Sequence, residues 1–132
     1  MQSETFWSSQ HQGTMDSSNG TTWGMIPNFP QINFKLHFDS QVLITLTVPD
    51  TWNDTQGAWT WFGINLDGSV IASGLNSMAA NNQRVPVALS TVVSLKAGAH
   101  SVDAMWQMQS GTGYVGETGT ACLTVRAFPN IV

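Results

Sequence analysis

The chain has 132 residues, 42% of them hydrophobic and only 9% Asp, Glu, Lys or Arg, with a net charge of -4. That length suits one domain with a real core, and the polar surface must come from Ser, Thr, Asn, Gln and Gly, because charged residues normally make up about a quarter of a chain. Two lysines (Lys35, Lys96) and two arginines (Arg84, Arg126) form no basic patch, which excludes nucleic acid as an expected partner; no apolar run reaches the roughly 20 residues of a membrane helix, so no membrane insertion is expected.

Residues 1–22 are polar, with Phe6, Trp7 and Met15 embedded, and read as an extended N-terminal arm without a core of its own. Phe6 and Trp7, together with Trp23 at the arm's end, are candidates for docking on a neighbouring subunit or lattice. The opening stretch MQSETFWSSQHQG has neither the basic start nor the apolar run of a signal peptide. The protein is therefore expected to stay where it is made or to leave by another route, such as lysis.

A series of alternating runs follows. In QINFKLHFD, Ile32, Phe34, Leu36 and Phe38 share one face, while Asn33, Lys35, His37 and Asp39 share the other. Val42, Ile44, Leu46 and Val48 repeat the pattern, Pro49 is expected to end that strand, and PDTWNDTQG reads as a turn-rich loop. Around Asp67-Gly68 the stretch AWTWFGINLDGSVIASG predicts a hairpin with a tight primed turn. RVPVALSTVVSL alternates through Val85, Val87, Leu89, Thr91, Val93 and Leu95, and its Pro86 points to an edge strand or a strand start. The last runs set Val102, Ala104, Trp106 and Met108 on one face, then Ala121, Leu123, Val125 and Ala127. No helical period is sustained, so the class is all-β.

LKAGAHSVDAMWQM puts His100, Asp103 and Trp106 close together in sequence. Strand parity sends His100 and Asp103 to opposite faces, which argues against a catalytic pair and for a turn histidine satisfied by a backbone carbonyl. His11, His37 and His100 have no metal-ligand spacing, and the lone Cys122 adds none. The cluster Asp50, Asn53 and Asp54 lacks the fixed order of a calcium loop. There is no nucleophile elbow and no phosphate-cradling loop before a helix. No enzyme activity, metal or cofactor is expected.

Leu95, Gly98, His100, Val102, Trp106 and the final Leu123-Thr124-Val125, with the Asp67-Gly68 hairpin before them, resemble the bacterial and phage branch of the tumour necrosis factor-like (complement globular head-like) jelly rolls. The resemblance spans residues 30 to 128, roughly. It implies an antiparallel jelly-roll β-sandwich over residues 23–132 that assembles as a homotrimer, with aromatic and aliphatic residues of one sheet lining the threefold axis. The family serves as cytokine-like ligands, surface proteins, fucose-binding lectins and virion components, so fold alone leaves function open.

Six tryptophans in a chain of this size are many. Large rigid side chains outside the inward pattern mark subunit interfaces. Flat indoles also stack on pyranose rings, and Trp52, Asn53, Asp54, Trp59 and Trp61 are the candidate glycan contacts. The reading is a non-enzymatic structural or adhesive protein of a virion or particle surface. It is either a capsid decoration (cement) protein or a fibre or receptor-binding module. Its partners would be itself, a capsid or other virion protein, and a cell-surface glycan. The alternative is a soluble cytoplasmic or extracellular trimeric lectin that binds saccharide at subunit clefts.

Overall fold

A computed structural model describes residues 5–77 and 83–130. Two antiparallel sheets face each other. The first, sheet A, contains β1 (Phe6–Gln10), β2 (Asp16–Ser18), β5 (Ser40–Asn53), β8 (Val85–Leu95), β10 (Gly113–Val115) and β11 (Cys122–Pro129). The second, sheet B, contains β3 (Gly24–Met25), β4 (Ile32–Leu36), β6 (Trp59–Leu66), β7 (Ser69–Ser77) and β9 (Gly98–Met108). The principal strands run β1-β11-β5-β8 in sheet A and β4-β9-β6-β7 in sheet B. The chain passes repeatedly between the two layers, which makes the fold an antiparallel jelly roll.

The period-two runs explain the core. Val42, Ile44, Leu46 and Val48 of β5 are all at 0% exposure, as are Leu123 and Val125 of β11. Opposite them lie Phe62, Ile64, Val102, Ala104, Trp106 and Met108. One face of each sheet is thus removed from water, at roughly 25 cal/mol for each Å² of apolar surface. The hairpin turn also forms as its residues dictate. Asp67 (φ 50°) and Gly68 (φ 89°) both adopt the left-handed backbone that a primed turn requires.

Three expectations are corrected. Pro49 does not end its strand: β5 runs on to Asn53. The β11 ladder stops at Thr47, the β10 ladder starts at Thr51, and the β8 register shifts between Val48 and Thr51. Pro49 therefore sits in the gap between ladders, where its missing N–H costs no bond. Phe38 is not inward-facing; it is 46% exposed, because β4 ends at Leu36 and residues 37–39 bend into β5. Finally, residues 5–22 are extended but not separate from the domain. Phe6–Gln10 pairs along β11, and Asp16–Ser18 pairs along β10.

His11 anchors this N-terminal stretch. It is 5% exposed, and its Nε2 lies 2.6 Å from Asp16 Oδ2, while both Asp16 oxygens accept from the Asn28 amide. A Cβ on Gly116 would come within 2.7 Å of the His11 ring, so the glycine makes room for it.

The sandwich has two long sides. On one, β7 and β8 meet closely, and a Cβ at Gly74 would lie 2.6 Å from Leu89 Cδ2. On the other, β1 and β4 stand apart. Trp7 leans on Phe34 with ring centroids 5.0 Å apart, and two hydrogen bonds tie β1 and Gln12 just beyond it to the segment that precedes β4: Ser9 Oγ to Pro30 O at 2.6 Å and Gln12 N to Asn28 O at 2.7 Å.

Candidate functional site

The candidate residues fall in three places. Trp52 and Asn53 end β5, so they belong to sheet A rather than to a loop. Tyr114 of β10 stacks on Trp52 with centroids 3.9 Å apart and planes 11° apart, and the Arg84 guanidinium carbon sits 4.9 Å from the indole centroid. Trp52 Nε1 donates to Glu117 Oε2 at 3.0 Å, and Arg84 pairs with that same oxygen. The indole is thus engaged by its own chain on ring and N–H alike. Asn53 is fully buried; its Nδ2 donates to Ser110 O at 3.1 Å and its Oδ1 accepts from Thr55 N at 2.9 Å. Asp54 Oδ1 accepts from Thr112 N at 2.8 Å. Both side chains knit neighbouring loops together, which is turn chemistry.

Trp59 and Trp61 lie on the outer face of sheet B, away from Trp52. Trp59 is 42% exposed. Trp61 is half-buried in a cross-strand row with Leu75 and Gln107. Trp23 lies on this face too, against Gly63, where a Cβ would meet its ring at 3.0 Å. The Gln107 amide accepts from Trp23 Nε1 at 3.2 Å and donates to Thr21 O at 3.3 Å. Trp23 therefore caps its own sheet. The five expected glycan contacts are not gathered into one cleft.

Trp7 faces inward from β1 onto Phe34, and Phe6 faces outward at 49% exposure, with the Arg126 guanidinium carbon 5.3 Å from its ring centroid. The register puts Phe6, Arg126, Leu43 and Val92 in one row across the outside of sheet A. Val92 is 63% exposed and Phe128, in the next row, 51%. Ser8, Thr124, Thr45 and Ser90 make the neighbouring row. Along these four strands Arg126 is the one outward charged side chain. Parity could have shown this surface, since placing Thr91 and Val93 inward already sends Val92 out.

Two clusters of paired charge lie at the ends of the sandwich. At one end His100 Nδ1 is 2.7 Å from Asp67 Oδ2, and its Nε2 is 2.8 Å from the Lys96 carbonyl oxygen. Burial opposes the imidazolium, but the Asp67 carboxylate and the Lys96 carbonyl outweigh it and raise the His100 pKa above 6.5. Burial likewise opposes the Asp67 carboxylate, yet the bonds from His100 and from Ser101 N lower its pKa below 3.8. At the same end Asp39 accepts from Ala97 N at 2.9 Å and pairs with Lys96 at 3.4 Å. The carbonyl contact expected for His100 is present; its carboxylate partner is Asp67 and not Asp103. Asp103 is buried and accepts from Gln31 Nε2 at 2.9 Å.

At the other end Arg84 joins Glu117 and Asp50, and Asp50 also accepts from Thr118 N at 2.8 Å and Thr118 Oγ1 at 2.7 Å. With a guanidinium between the two carboxylates this is a structural bridge, not an open acid–base pair. Tyr114, Arg84 and Glu117 come from distant parts of the chain, and no sequence spacing signals their meeting with Trp52. Among the described residues no group of three His, Cys, Asp or Glu side chains is placed to hold a metal.

No protein-family profile and no curated protein sequence matches the chain. Solved structures do. Dimeric latent PorU from Porphyromonas gingivalis is similar over 96% of the chain at 9% identity with a TM-score of 0.55. A chain from the structure of infectious bursal disease virus, Gt strain, is similar over 96% at 9% identity, also at 0.55. This chain spans 13% of the first and 34% of the second, so it corresponds to one part of each. Eiger TNF from S. frugiperda aligns over 98% of this chain and 97% of its own at 9% identity; its TM-score of 0.48 is too low for topology to follow from it. At these identities the shared property is the fold.

Proposed function

We propose that this protein is a non-enzymatic structural or adhesive component of a virion or particle surface, a homotrimer of jelly rolls packed through the outer face of sheet A. The observation that carries the reading is that face itself. It displays Phe6, Val92 and Phe128 at 49%, 63% and 51% exposure, separated by serines and threonines, with Arg126 laid over Phe6. Exposed aromatic and apolar anchors with an arginine among them and charge otherwise depleted are features of a subunit interface core. The threefold closure is supported by the resemblance of residues 30 to 128, roughly, to tumour necrosis factor-like jelly rolls. A particle setting is supported by the neutral, hydrogen-bonding surface and by the similarity in fold to a viral chain.

Light scattering on the purified protein tests the assembly. A mass near three times 14.3 kDa is expected, and the mass of a single chain overturns the trimer. Co-sedimentation with particles from the native source tests the setting.

A further inference from the structure

We propose that the open edge of β1 is a docking site for an extended, uncharged segment of another protein, which adds to sheet A as a further strand. Backbone parity fixes which groups are on offer. Ala127 N donates to Thr5 O and His11 N donates to Ala121 O, so the odd-numbered residues of β1 bond to β11. The N–H and C=O groups of Phe6, Ser8 and Gln10 therefore point the other way, off the sheet. Gln12 N, next in that series, bonds Asn28 O and closes the edge beyond Gln10. Among the described residues, the Phe6 and Ser8 backbone groups have no partner on that side, and β1 pairs with β11 alone.

The other described edges are guarded. β2 and β3 have three and two residues. β4 carries Lys35, β8 carries Pro86, and β7 skips Ile71 in its register with β6. β7 and β8 also close on each other through Gly74 and Leu89. Short length, a lysine, a proline or a bulge each discourage strand addition. β1, with sequence FWSSQ, has five residues in unbroken register and no charge, proline or bulge. An edge left without any such device is open to pairing.

The same edge dictates the chemistry of its occupant. Phe6 and Ser8 would form the hydrogen-bonded pairs with the added strand. Trp7, between them, then falls where cross-strand side chains approach most closely. Trp7 is half-buried and turned inward onto Phe34, and Ile32 lies beside it in a groove of about 420 Å³. The residue added opposite Trp7 is therefore apolar, and its neighbours face outward beside Phe6 and Ser8. No residue lining the groove is charged, so a charged side chain turned inward would lose water without gaining a partner. A second copy is the less suitable source. The described strands all belong to ladders, so a copy has an edge to offer and not a free segment. The backbone groups belong to one chain, so the site does not depend on the trimer.

The test is amide hydrogen exchange by NMR, on the protein alone and with a capped synthetic peptide alternating valine and threonine over about six residues. Alone, the Phe6 and Ser8 amides are expected to exchange faster than those of Trp7 and Ser9. Saturating peptide is expected to slow Phe6 and Ser8 by about tenfold or more, with no change at Asn33 and Lys35. The same peptide N-methylated at its threonines, the residues that would pair with Phe6 and Ser8, is expected to have no effect. Absence of protection by the unmethylated peptide overturns the proposal, as does equal protection by the methylated one or protection confined to Asn33 and Lys35. Protection of Phe6 and Ser8 that grows with protein concentration alone also overturns it, since the occupant would then be a second copy.

Discussion

The two outer faces of the sandwich are built from the same kind of strand, yet the chain treats them differently. Outside sheet B, side chains flanking β3 lie over the sheet: Trp23 rests on Gly63, and Gln31 reaches the buried Asp103. Outside sheet A, nothing in the described chain lies over the row from Phe6 to Val92. Sheet B still exposes Trp59, Val70, Ile71 and Leu75 at 42%, 37%, 37% and 45% beside that cover. The uncovered row across sheet A, which no other described segment overlies, is what marks that face for another subunit.

The sharpest break of this comparison is a charge placed on each face. Val92→Glu on sheet A is expected to reduce the mass threefold, to a folded single chain, while Leu75→Glu on sheet B leaves the trimer intact. Light scattering with circular dichroism reads both. If the two variants behave alike, the distinction between the faces fails.

Next in size is the capping of sheet B. Gly63→Val would push against Trp23, whose ring atoms already stand 3.0 Å from the Cβ position, and against Val70 at 3.1 Å. A loss of about 1–3 kcal/mol in urea denaturation is expected, as for other overpacked sites, with a red shift of tryptophan emission as Trp23 moves into water. Stability equal to the parent would mean that the cap is loose.

The smallest effect belongs to the charged end, and it depends on pH. The raised His100 pKa means its stabilisation is fully present below 6.5 and is lost as pH rises through the higher folded value. The lowered Asp67 pKa means its share is present above 3.8 and is lost as pH falls through the lower folded value. His100→Gln should therefore cost most near pH 5 and little at pH 9. The difference should stay within about 1 kcal/mol, since the pair is partly exposed. A pH-independent difference would show that the contact is steric.

The inward faces of the long strands were legible in the sequence because burial on one side imposes a period of two, and nothing else in Val42–Val48 or Leu123–Ala127 competes with it. The short strands were not. Gly24–Met25 and Gly113–Val115 are strands only because a longer neighbour offers them a ladder. Phe6–Gln10 read as an arm because serines fill the positions around Trp7, and a small edge strand needs only one apolar anchor. The Trp52 cluster was illegible for another reason: Tyr114, Arg84 and Glu117 reach it through tertiary structure alone. The tryptophans themselves were visible, but their partners were not, and the partners determine that Trp52 and Trp23 are internal fixtures.

Pro49 gives the longest strand an unequal character along its length. Before it, β5 is held between β11 and β8; beyond it, at Thr51–Asn53, the chief partner is the short β10. The gap separates the two ladders, so the far end is fastened by other means: the Trp52–Tyr114 stack, the Arg84–Glu117 bridge and the bonds of the buried Asn53 hold it where the long ladders do not reach. Pro49 thus joins a stretch of β5 anchored by ladder bonds to one anchored by side chains.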